Sequence, residues 1–166
     1  TLTAAAITSP YFSIMKAPIG FPLDPTKWTV RVTDNVQRGG TTTASTWTNH
    51  GTTNAQISVP IGAWSLSYQV NMLMDRASAG TDVTCNVTLS TANNSETDTE
   101  LTTCHRWSSA VGSSADIIET IMSKHKYLTV ASKTLYYLNA WNNAGNNQYW
   151  DNGNGKMILQ AVCAYL

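Results

Sequence analysis

The chain reads as an all-β protein, an antiparallel β-sandwich, and three observations predict it. From Trp64 to Met74 apolar residues occupy even positions (Trp64, Leu66, Tyr68, Val70, Met72, Met74), with Ser65, Ser67, Gln69 and Asn71 between them. A period of two describes a strand with one face on a core and the other polar. The same alternation returns at Val83, Cys85, Val87 and Leu89, and at Trp28, Val30 and Val32. Charged residues are only 12% of the chain. Thr, Ser and Asn together make roughly a third of it, which suits strands joined by polar turns.

A length of 166 residues fits one domain with a real core and is short for two. Thr1 to Lys27 holds four of the five prolines (Pro10, Pro18, Pro22, Pro25) and no sustained period, so it reads as an extended arm preceding a domain over 28–166. Its Tyr11, Phe12, Ile14, Ile19 and Phe21 need cover from the domain or from a neighbouring subunit. Trp28 to Val36 is the first strand, and Arg38-Gly39-Gly40 reads as a turn. Thr41 to Asn49 is polar with Trp47 as its anchor, and Ala55 to Val59 places Ile57 and Val59 on one face. Pro60-Ile61-Gly62 then turns the chain into the Trp64 strand.

Val83 to Leu89 and Leu101 to Trp107 are alternating runs joined by about ten polar residues, as in an antiparallel neighbour pair. Ser113 to Leu128 carries two signals. Asp116-Ile117-Ile118-Glu119 resembles a capping box, with Ile117, Ile118, Ile121 and Met122 at helical spacing, whereas the surrounding pattern favours a strand from about Glu119 to Val130. Lys133 to Trp141 and Lys156 to Leu166 are apolar on both parities. A sandwich covers one face of such a strand, so the other needs the arm or another subunit.

Val59-Pro60-Ile61-Gly62, followed by Trp64, Leu66, Tyr68 and Val70, resembles the central strand of the C1q/TNF-like jelly roll. By pattern the resemblance runs from about Trp47 to Leu166, through Thr134-Leu135-Tyr136-Tyr137-Leu138-Asn139-Ala140 and the closing strand. It is nearest in kind to the versions that cap trimeric tail fibres of bacteriophages. The resemblance implies a jelly-roll homotrimer with an inner sheet lining the three-fold axis, carried on an upstream fibre shaft at the distal tip of a virion's tail fibre. It implies attachment to a bacterial surface polysaccharide or lipopolysaccharide. A secreted C1q/TNF-like ligand for a protein receptor, and a structural trimerisation cap, are the alternatives.

Ten basic and ten acidic side chains cancel. A nucleic-acid partner calls for a basic excess, and the densest basic cluster, Lys124-His125-Lys126, reads as a solvated strand end or turn. The absence of an initiator Met and of an apolar leader suggests an excised domain, and no apolar run is long enough to insert into a membrane. Cys85, Cys104 and Cys163 lack metal-site spacing, so no metal or other cofactor is expected. Cys85 and Cys104 are open to a cross-strand disulfide, but the core-face alternation favours free thiols. Asp151-Asn152-Gly153-Asn154-Gly155 lacks side chains at two of its first three calcium-ligand positions. His50, His105 and His125 are scattered and no nucleophile or metalloenzyme motif is present, so no enzyme activity is expected.

The segment Asn142 to Gly155 is the candidate binding loop. Trp141, Tyr149 and Trp150 stand there among Asn142, Asn143, Asn146, Asn147, Gln148 and Asp151. Aromatic faces stack on the C–H side of a sugar ring while amides engage its hydroxyls. The competing reading is an Asn/Gly-rich turn with Trp150 folded back as its own anchor. If both chain ends lie at the stalk, Arg76 to Asp82, Ser108 to Asp116 and Asn142 to Gly155 form the opposite tip, with His105, Arg106 and Trp107 just below it.

Overall fold

The computed structural model describes residues 28–51, 53, 55–75, 82–107, 117–144, 147–150 and 155–164; the arm over 1–27 lies outside them. Ten strands are formed: β1 (Thr29–Asp34), β2 (Arg38–Thr41), β3 (Gln56–Val59), β4 (Gly62–Asp75), β5 (Val83–Ser90), β6 (Thr102–Trp107), β7 (Ile117–Val130), β8 (Thr134–Asn142), β9 (Asn147–Trp150) and β10 (Met157–Cys163). Every pairing is antiparallel. β7 runs along one edge of β4 from Gly62 to Asp75, while β10 and then β9 share the other edge, backed by β1 and β2. The second sheet runs β3-β8-β5-β6. With β1 and β2, and likewise β9 and β10, taken as interrupted single strands, the orders β1-β10-β4-β7 and β3-β8-β5-β6 are those of an eight-stranded jelly roll.

The predicted alternation sets the core. Leu66, Val70 and Met72 of β4 are fully buried and meet Val87, Leu89 and Leu138 of the opposite sheet, with Leu159 beside them. Gly62 opens β4 at φ 131, where only glycine sits without strain, so the Pro60-Ile61-Gly62 turn depends on it. Tyr68 crosses between the sheets, its hydroxyl 2.8 Å from the Val87 carbonyl oxygen and 2.9 Å from Thr103 Oγ1. Burial raises the Tyr68 pKa, which keeps the hydroxyl protonated as a donor.

Three expectations are corrected or resolved by the pairing. Arg38-Gly39-Gly40 is strand β2, not a turn; the chain bends just before it, where the Val36 N–H donates 3.0 Å to Asp34 Oδ1 and Arg38 pairs with Asp34. Burial of the Asp34 carboxyl opposes its charge, but the bonds from Arg38 and Val36 outweigh this and hold its pKa below the usual value. Lys124-His125-Lys126 lies in mid-strand, paired with Leu66 to Tyr68, and Lys126 engages Asp98 at 2.5 Å and Glu100 at 2.6 Å. Ile117 to Val130 is strand throughout: the helical spacing loses to fourteen residues of pairing with β4.

The second face of β8 is covered at Asn139 by the β5–β6 connection. That side chain is buried beneath the β5–β6 connection and donates to the carbonyls of Ala92 at 3.0 Å and Ser95 at 2.7 Å. The outer face of β10, with Ile158 and Val162, remains half-exposed.

The three cysteines are free. Cys104 pairs with Asn86, one position out of register with Cys85, so the two thiols project from opposite faces and a bridge between them is geometrically excluded. Burial, only partly offset by a Gln148 hydrogen bond, pushes the Cys85 thiol up to about 12. In the folded protein a soluble disulfide reagent is expected to modify exposed Cys104 rapidly while Cys85 stays inert, as mass mapping of labelled peptides will show. Tyr68→Phe is expected to cost about 1–2 kcal/mol in denaturant unfolding by removing the inter-sheet hydroxyl; an unchanged midpoint would argue against its bridging role.

Candidate functional site

Thr29 of β1 pairs with Val162 near the end of β10, so the described chain begins and ends at one end of the sandwich. At the opposite end Asp75 meets Ile117, Val83 meets Trp107 and Cys85 meets Asn142. The β4–β5, β6–β7 and β8–β9 connections therefore share this distal end, as the sequence reading expects. The described residues between Asn142 and Gly155, however, do not stay there. β9 turns back down β4, with Gln148 opposite Met74 and Trp150 opposite Met72, and an ideal Cβ on Gly155 would lie 3.5 Å from Asn71 Cβ, partway down the sheet.

The candidate residues separate accordingly. Trp150 is 2% exposed and packs in the core, so of the two readings of this tryptophan the structure takes the anchor. Asn142 is buried, its Nδ2 donating 2.7 Å to Thr42 Oγ1. Asn143 is exposed and ties two connections together: its Oδ1 accepts from the Thr84 N–H at 2.8 Å, and its Nδ2 donates to the Asp82 carbonyl at 3.0 Å. Asn147 and Tyr149 pair through β9 with Thr41 and Gly39, while Asn146 and Asp151 lie outside the described residues.

On β6, His105 and Trp107 share the inward-facing parity. Their rings lie 3.8 Å apart at 36°, with His105 Nδ1 3.4 Å from Thr120 Oγ1 of β7. Arg106 alone faces outward and pairs with Asp82 at 2.5 Å.

Strand register assembles a different group on the outer face of the β3-β8-β5-β6 sheet. Trp141 is opposite Asn86, Asn86 is opposite Cys104, and Thr84 is opposite Arg106 in the next row toward the distal end. Trp47 joins this face from the β2–β3 connection, beside the Thr48 to Ala140 bridge. Sequence reasoning treated Trp47 as a loop anchor and Asn86 as a strand residue; only the bridge and the register bring them to Trp141. Among the described residues, no three His, Cys, Asp or Glu side chains converge to hold a metal, and no helix is long and apolar enough to cross a membrane.

No family model matches the chain, and no curated protein matches it. Among solved structures it is similar to the Eiger TNF of S. frugiperda, with 12% identity and a TM-score of 0.44 over 78% of this chain and 92% of that one. It is also similar to the VP2 subviral particle of infectious bursal disease virus, with 11% identity and a TM-score of 0.34 over 86% of this chain and 41% of that one. At these scores the likenesses carry no argument, and the jelly-roll assignment rests on the strand order itself.

Behind the distal end lies a buried polar layer. Fully buried Gln148 places Nε2 3.1 Å from Cys85 Sγ and Oε1 3.1 Å from His50 Nε2. With the amide nitrogen turned to Cys85, the carbonyl oxygen accepts a hydrogen bond from His50 Nε2–H, so the neutral ring carries its hydrogen there. The His50 ring stands edge-on to Trp150, 5.4 Å away. Burial lowers the His50 pKa, and the Gln148 bond only partly opposes it.

A depressed folded-state value means that the unfolded chain takes up the proton more readily. The stabilisation is complete above the unfolded value of 6.5 and is lost as pH falls below that value through the folded one. The thermal midpoint is therefore expected to drop between pH 7.5 and 5, with His50→Gln flattening that part of the profile. An identical slope in the variant would remove His50 as the cause.

Proposed function

We propose that this chain is the homotrimeric receptor-binding tip of a phage tail fibre or tailocin, attaching to a bacterial surface glycan. The observation that carries the reading is the outer face of the β1-β10-β4-β7 sheet, which is left open among the described residues. There Ile121 is 65% exposed and Tyr127 70% exposed, with Ile158 and Val162 half-exposed beside them. The same face holds a hollow of about 450 Å³ lined in part by Ser67, Gln69, Ser123, His125 and Ile158. Protruding Ile121 and Tyr127 flank this hollow along β7, and such an apolar, uneven face suits burial against further copies around a closed axis.

The shared end of the two described chain termini supports attachment to a shaft, with the distal connections directed at the cell. Three copies on one axis turn weak saccharide contacts into firm attachment through effective concentration. With no net charge and an abundance of Thr, Ser and Asn, the chain suits a sugar polymer better than a polyanion.

Light scattering of the full chain at micromolar concentration is expected to give a trimer. Ile121→Glu with Tyr127→Glu is expected to weaken association by about a hundredfold while leaving the strand circular-dichroism signal intact. A wild-type monomer at that concentration would overturn the proposal.

A further inference from the structure

We infer that the outer face of the β3-β8-β5-β6 sheet is a platform for a neutral saccharide, built on Trp47 and Trp141 with Asn86 as its central hydrogen-bonding group. The inference rests on the glycan-attachment reading above and names the surface that does the binding.

The geometry begins at the bridge between Thr48 and Ala140, whose two hydrogen bonds are 2.8 and 2.9 Å. In an antiparallel pair the neighbours of a bridged couple lie across from each other and project to the opposite side. Ala140 faces the core with no exposure, so Trp47 and Trp141 flank each other on the outside, each half-buried. The loop carrying Trp47 is held in place. The Ser45 N–H donates to the Asn142 carbonyl at 2.7 Å, the Asn49 N–H donates to Asn94 Oδ1 at 2.7 Å, and Asn49 Nδ2 donates to the Ala55 carbonyl at 3.2 Å. A platform fixed before binding loses little freedom when a ligand arrives.

Beside the two indoles, Asn86 Oδ1 is buried with no hydrogen-bond partner among the described residues, an acceptor that a ligand hydroxyl satisfies once the amide turns outward. Thr84 and Asn143 continue the polar row toward the distal end. Arg106 there is already matched by Asp82, so among the described residues this row offers no surplus cation to an acidic polymer. Indole faces for the C–H side of a pyranose, surrounded by amides and hydroxyls without net charge, define a neutral sugar as the ligand. In the proposed trimer the other sheet turns toward the axis, which leaves this face outward on each of the three subunits.

The test applies the full chain to an array of purified bacterial capsular polysaccharides and lipopolysaccharides. Wild type is expected to bind at least one neutral polysaccharide, and Trp47→Ala and Trp141→Ala each to weaken that binding at least about tenfold with the trimer intact. Asn86→Ala removes an acceptor that has no partner, so it is expected to fold as stably as wild type and still to lose at least about threefold in binding. If the tryptophan variants do not assemble, Asn86→Ala decides alone. Undiminished binding by the assembled variants, or binding confined to acidic polysaccharides, overturns the platform and leaves glycan attachment standing. A wild-type protein that binds nothing on the array overturns both.

Discussion

Strand β4 is the constraint on which the rest of the structure depends. Its fourteen residues pair along one edge with β7 and over most of the other with β10 and β9, so its register fixes five other strands directly or through one neighbour. The even positions fill the core and the odd ones face out. A slip of one residue would turn Leu66, Val70 and Met72 to solvent and bury Ser65, Ser67 and Gln69, so alternation specifies the register as strongly as the hydrogen bonds do. Tyr68 extends that control to the second sheet by reaching Val87 and Thr103.

Elements that alternate were legible in the sequence because each side chain meets a single environment. β4, β5 and β10 follow the expected ranges closely. β2 was not legible: Arg38-Gly39-Gly40 has the composition of a turn, and its pairing with β9 is supplied from more than a hundred positions away. Lys124-His125-Lys126 misled for a related reason, since Lys126 gains its partners Asp98 and Glu100 from the β5–β6 connection. Local composition reports the turn or the charge; only tertiary pairing reports the strand.

The candidate site divides in the same way. Aromatic residues in an Asn-rich stretch signalled that something is anchored or bound there, without saying which. Trp150 is drawn inward by parity with Gln148 and by the His50 edge contact, while Trp141, nine positions earlier on β8, has the opposite parity relative to the core. Locally, Trp47 reads only as the anchor of a polar stretch and Asn86 only as a strand residue. They meet Trp141 through a single bridge and through strand register, neither of which is encoded within a short window of sequence.

The matched interruptions between β1 and β2 and between β9 and β10 bear on how a chain with equal numbers of acidic and basic groups stays dispersed. Such a chain has no charge repulsion to keep copies apart, so its sheet edges must not template one another. The β1/β2 edge is broken into runs of six and four residues around the Asp34 and Arg38 pair. The long β7 edge is met by β6, where Thr103 Oγ1 donates to the Ser123 carbonyl, and guarded by the Lys126 charges. Strand addition to the β1-β10-β4-β7 sheet therefore meets only short runs at one edge and a contact with β6 at the other.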